Sequence, residues 1–145
     1  MNLLCFPAGA FICYYIFLRN NKFNFNKILM IIGMIFISYV ANVYLNQADI
    51  KLIDSLGYIF VSSNLKFMKV YGIIVYGFIA ALSVGVIKRK ASNKIGGIFI
   101  LISAVISMVS SFLFYSSEGM IIIYLSELLW SITMFYSLLK FKKLL

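Results

Sequence analysis

Glu127 is the only acidic residue inside a hydrophobic run of this 145-residue chain. It lies in the apolar stretch 120–139, with Tyr124 and Ser131 at i−3 and i+4 on the same helical side. An ionised carboxylate in the middle of hydrocarbon costs about 3 kcal/mol on insertion scales. Such a group is expected to face other helices, either protonated or hydrogen-bonded. Two chemistries follow: a proton- or cation-linked site, or a neutral carboxylic acid that pins helices together. Counted from the end of the run, Glu127 sits about 10 Å deep at 1.5 Å per residue. At that level the other runs carry Tyr39, Tyr76 and Ser107, with Asn42 and Ser111 nearer the surface. Glu127, Asn42, Tyr39, Ser107, Ser111, Tyr76, Tyr124 and Ser131 therefore make up the candidate intramembrane polar site.

Run 95–115 carries the most regular polar pattern. At 100° per residue, Gly96, Ser103, Ser107, Ser110 and Ser111 fall within about 100° of arc. That stripe suits one wall of a polar pathway. It suits equally a close helix contact whose hydroxyls bond back to the i−4 carbonyl. In run 67–87, Gly77, Ala81 and Gly85 recur at every fourth residue, a spacing that lets a neighbouring helix approach. Gly77, Ala81, Gly85, Gly96 and Ser103 are the candidate helix-packing positions.

Other chemistry is scarce. With no histidine and four carboxylates, a Ser-His-Asp triad, a Cys-His pair and an ordinary zinc site lack their components. On a helix, Asp49 and Asp54 stand about 140° apart, too divergent to share a proton. Cys5 and Cys13 lie about 12 Å apart along a helix axis, beyond disulfide reach. No Gly-rich phosphate loop is present. The chain is not expected to be an enzyme, and no catalytic residue, metal ligand or cofactor site is assigned.

The elements that must position Glu127 are set by hydropathy. The chain is 63% hydrophobic and 12% charged, with a mean hydropathy of +1.03. A soluble domain has about half apolar and a quarter charged residues, so lipid is the expected solvent for most of this surface. The pattern predicts an all-α, polytopic transmembrane bundle forming a single membrane domain over 1–145. Five spans are expected at about 3–18, 28–46, 67–87, 95–115 and 120–139. Run 3–18 is short enough that a re-entrant segment beside four spans is the alternative. Between spans two and three, residues 49–61 place Leu52, Ile53, Leu56, Ile59 and Phe60 on one side at helical spacing. That predicts an amphipathic helix lying in the interface, capped by Asp49.

The net charge of +9 sits at the ends of runs and not on one face, which argues against nucleic acid. Arg19, Lys22, Lys27, Lys88, Arg89, Lys90, Lys94, Lys140, Lys142 and Lys143 fall on one side of five spans; Lys51, Lys66 and Lys69 fall on the other. The positive-inside rule then places the C-terminus in the cytoplasm and the N-terminus outside a cell membrane. Tyr44, Tyr71, Phe114, Tyr115 and Tyr136 suit an interfacial aromatic belt. The expected partners are the lipid bilayer and either further copies of the chain or a larger membrane complex. The functional expectation is a small carrier or channel subunit using the buried carboxyl. The alternative is a membrane-resident immunity or accessory protein that binds a partner, with a holin-like toxin behind both. Abundant Asn, Lys and Ile point to a bacterial source.

Overall fold

A computed structural model of the chain describes residues 5–18, 25–45, 48–52, 58–62, 65–90, 92–113 and 117–141. Among these, five α-helices and one short hairpin follow in the order α1 (Cys5–Leu18), α2 (Phe25–Leu45), β1 (Ala48–Leu52), β2 (Tyr58–Ser62), α3 (Leu65–Lys88), α4 (Lys94–Phe112) and α5 (Ser117–Phe141). Three stretches, Lys69–Lys88, Lys94–Phe112 and Ile121–Phe141, are long and apolar enough to cross a membrane. Cys5–Leu18 and Asn26–Ala41 are shorter apolar helices.

Helix α1 carries no charged residue and is apolar all round, and a helix of that kind is expected to be enclosed on every side. It packs against α2, α3, α4 and α5 and buries Pro7, Ala10, Phe11, Cys13, Phe17 and Leu18. Pro7 falls in its first turn, where a missing N–H costs little. α3 and α5 close on either side of α4, which is the most enclosed of the three long helices. α2 joins the others more lightly. Its Ile28 is buried, and Tyr71 of α3 donates to the Ile35 carbonyl at 3.2 Å and lies 3.2 Å from the Ser38 hydroxyl.

The helix directions are fixed at one end. Asn93 precedes α4, and its side chain accepts from the Gly96 N–H at 3.2 Å as an N-cap. Its backbone N–H donates to the Phe17 carbonyl at 2.9 Å, and its Nδ2 to the Tyr136 hydroxyl at 3.4 Å. The end of α1, the start of α4 and the last turns of α5 therefore meet. Lys88, Arg89, Lys90, Lys94 and Lys140 gather at this basic end. Tyr136, assigned to an interfacial belt by its place in the sequence, is only half exposed. It packs on Phe17 and Phe99, at ring separations of 5.7 and 5.3 Å, under the Lys140 ammonium.

The amphipathic helix expected over 49–61 is not formed. β1 and β2 pair antiparallel, with Ile50 opposite Phe60 and Leu52 opposite Tyr58; residues 53–57 between them lie outside the described residues. The apolar residues of 49–61 fit both periods, and a short run does not decide between them. Three features tip it towards strands. Tyr58, Ile59, Phe60 and Val61 are aromatic or β-branched, Gly57 costs about 1 kcal/mol inside a helix, and a helix shorter than about 15 residues is marginal alone.

Candidate functional site

The bundle is apolar outside, and its interior sets a group of buried hydroxyls among apolar side chains. Ile74, Phe78, Ile121 and Phe135 are each more than half exposed, while Ser83, Ser103, Ser107, Ser110, Ser111, Ser126, Thr133 and Ser137 are buried. Hydroxyls can be enclosed at low cost only where each hydrogen finds an acceptor. The i−3 and i−4 carbonyls of the same helix supply most of these acceptors. Ser107 donates to the Ser103 carbonyl at 2.8 Å. Ser110 and Ser111 both donate to the Ser107 carbonyl, at 2.8 and 2.9 Å. On α5, Thr133 donates to the Leu129 carbonyl and Ser137 to the Met134 carbonyl.

Between the helices the lone pairs left over are shared. Ser103 meets Thr133 at 3.0 Å, Ser107 meets Ser126 at 2.6 Å, and Trp130 donates its indole N–H to Ser107 at 2.8 Å. At its basic end the seam reaches α1, where the Cys13 thiol points at Ser137 across 3.4 Å. The serine stripe thus lies at the α4–α5 contact, its hydroxyls directed back onto carbonyls and across to α5.

Above this seam stands Tyr76. Its side chain is fully enclosed, and its ring stacks on Trp130 at 6.4 Å between centroids. Its hydroxyl has no hydrogen-bond partner. The reason is a valence count. A serine hydroxyl offers one hydrogen and two lone pairs. Ser107 spends its hydrogen on the Ser103 carbonyl and its lone pairs on Trp130 and Ser126. The Ser107 hydroxyl lies within reach of the Tyr76 hydroxyl but has no valence left to bond it in this arrangement.

The other candidates scatter around this centre. Glu127 is half-buried on α5, about 20° from the Met134 side of the helix that meets Gly9 of α1. The Ser131 hydroxyl bonds the Glu127 carbonyl at 2.9 Å, and Tyr124 is 57% exposed, so neither neighbour turns its hydroxyl to the carboxyl. Tyr39 is half-buried at the edge of the apolar core. The Asn42 side chain lies outside the described residues. Among the small residues, Gly77 has Met108 at 3.8 Å from an added Cβ, Gly85 meets open space, and Ala81 is exposed. Gly96 is pressed against the Phe17 ring, and Gly97 against Val86 and Ile87.

Sequence reasoning missed Ser126, Trp130 and Thr133, the α5 half of the seam, and Asn93, which ties three helices. The first three were accessible: with Ser137 they fall within about 60° of arc, by the same rule that finds the serines of α4. Compared with known protein families, curated proteins and solved structures, the chain matches none.

Proposed function

We propose that the chain is a five-span integral membrane protein, a small carrier or channel subunit whose working site is Glu127 with Tyr76 above the α4–α5 hydroxyl seam. The observation that carries this reading is the enclosed Tyr76 hydroxyl without a partner, in a bundle that also holds the half-buried Glu127 carboxyl. A purely structural core satisfies its polar groups, and an orphaned buried hydroxyl is a feature a working site would have. The inside-out distribution of serines and large apolar residues supports lipid as the solvent. Helix α1 is about 21 Å long, short of a hydrocarbon core of about 30 Å. It is shielded by four neighbours, so little of its backbone would meet lipid. The cations gathered at the Asn93 end favour a cytoplasmic C-terminus. Because five short helices enclose little volume, oligomers are expected. In proteoliposomes, Glu127→Gln is expected to lower solute or ion flux at least tenfold while leaving helicity unchanged. Undiminished flux overturns the reading.

A second reading, a protective or accessory protein that binds a partner in the membrane, is favoured by α2. Met30, Met34, Phe36 and Ile37 are all at least half exposed on this lightly held helix. Photocrosslinking from Met34 and Ile37 tests it, with capture of one defined membrane protein as the expected result.

A further inference from the structure

We infer that the corner where α4 begins and α5 ends binds the phosphate of an anionic phospholipid through Lys94, Lys140 and the Tyr136 hydroxyl. The inference needs the chain to lie in a bilayer, goes beyond the carrier reading and does not involve Glu127. The cations of this end bring no counter-charge with them. Segments 19–27, 88–94 and 140–143, which carry them, contain no carboxylate. The positive-inside rule accounts for their number. It does not account for how two of them are placed.

Lys94 stands where its own helix opposes it. It occupies the first turn of α4, the positive end of the helix dipole, and that turn has no acidic residue. An anion at this point offsets both charges. Lys140 is half-buried at the carbonyl end of α5, with its ammonium 5.5 Å from the centre of the Tyr136 ring. Asn93 brings the two together. It directly precedes Lys94, and its Nδ2 donates to the hydroxyl of Tyr136, one turn before Lys140, at 3.4 Å. That bond fills an acceptor place on the phenol and leaves its hydrogen to be donated. Tyr136 is itself held between the Phe17 and Phe99 rings. Two ammonium groups and one phenol O–H therefore stand at one corner, and a phosphate diester has the charge and the acceptor oxygens to take all three.

The surface beside these groups selects a lipid over a soluble phosphate. Ile98 and Ile102 follow Lys94 at successive i+4 positions on α4, and both are exposed. On α5, the exposed Leu138 and Leu139 directly precede Lys140. A headgroup seated at the corner can lay its acyl chains along apolar side chains that already face outward. Inorganic phosphate would use the cations and leave those strips unused.

The test is native mass spectrometry of the full chain released from nanodiscs holding equal amounts of phosphatidylglycerol and phosphatidylcholine with the same acyl chains. Retained phosphatidylglycerol is expected to exceed phosphatidylcholine roughly twentyfold, about fivefold for each near-surface lysine. Lys94→Gln combined with Lys140→Gln should bring the ratio close to parity. Lys22→Gln combined with Lys27→Gln removes the same charge from the segment leading into α2 and should leave the ratio unchanged. Tyr136→Phe keeps the ring under Lys140 but loses the donated hydrogen, and should lower the phosphatidylglycerol retained about fivefold. Near-equal retention of the two lipids by the parent chain overturns the inference. So does an equal loss in the two paired variants, which would mean diffuse attraction, or undiminished retention in Tyr136→Phe. Release of the lipid by inorganic phosphate in the buffer would give the corner to a soluble anion and overturn the lipid. Flux indifferent to Glu127 overturns the carrier reading and leaves this one standing.

Discussion

Ser107 shows how much one hydroxyl can organise. It joins Trp130 and Ser126 of α5 to the Ser103 carbonyl of α4, and its own carbonyl takes Ser110 and Ser111. Ser107→Ala would leave the indole N–H and the Ser126 hydroxyl enclosed without partners. A loss of about 1–2 kcal/mol is expected, at the upper end of the range for hydrogen bonds between membrane helices. Ser110→Ala removes one of two donors to a carbonyl that keeps the other, and should cost under about 0.5 kcal/mol. Unfolding in mild detergent, followed by Trp130 fluorescence, measures both. At this scale the sequence was readable where a rule repeats. Four serines on one arc of α4 stand out, whereas Ser126, Trp130 and Thr133 form the facing arc in three residue types and do not catch the eye. The enclosure of Tyr76 is of another kind. A tyrosine in mid-run reads equally as core or as interface, and only the closing of α3 and α5 onto α4 decides between them.

Helices meet here through glycines that spacing alone did not rank. A Cβ on Gly96 would stand 2.5–2.6 Å from Phe17 ring atoms close to its backbone, which cannot swing away. Gly96→Ala should therefore push α1 off the start of α4 and strain the Asn93 bond to the Phe17 carbonyl. A loss of about 1–3 kcal/mol is expected, and Phe17→Leu in the same chain should restore part of it. Gly85, in the more conspicuous every-fourth-residue stripe, meets open space, so Gly85→Ala should be neutral within about 0.5 kcal/mol in the monomer. Thermal unfolding of the three variants checks the order. Helix positions were legible because a long apolar run without turn residues satisfies every backbone group within itself only as an α-helix. The hairpin over 48–62 was not, because its apolar residues satisfy helical and alternating periods together. Asn93 was hidden for a related reason: within a basic linker an asparagine looks like a solvated residue, and its role as a cap shared by three helices depends on where α1 ends.

For the whole molecule, the arrangement at the basic end decides which way α1 runs. The Phe17 carbonyl meets the Asn93 N–H, and the Cys13 thiol meets Ser137 near the end of α5. α1 and α5 therefore point the same way, and the first turn of α1 lies towards the end opposite the cations. If the charge bias sets orientation, residues before α1 are outside, those between α3 and α4 are inside, and β1 is outside. A chain with both cysteines replaced by alanine, carrying single cysteines at Asn2, Lys51 or Lys90, tests all three at once. A membrane-impermeant maleimide applied to intact cells should label Asn2→Cys and Lys51→Cys and spare Lys90→Cys until the cells are opened. Labelling at Lys51 but not at Asn2 would mean that α1 stops within the membrane and returns its leading end to the cytoplasmic side. That result would require the first turn of α1 to leave its place along α5 and return to the cation end. The Asn2 position therefore tests the five-span count and the packing of α1 together.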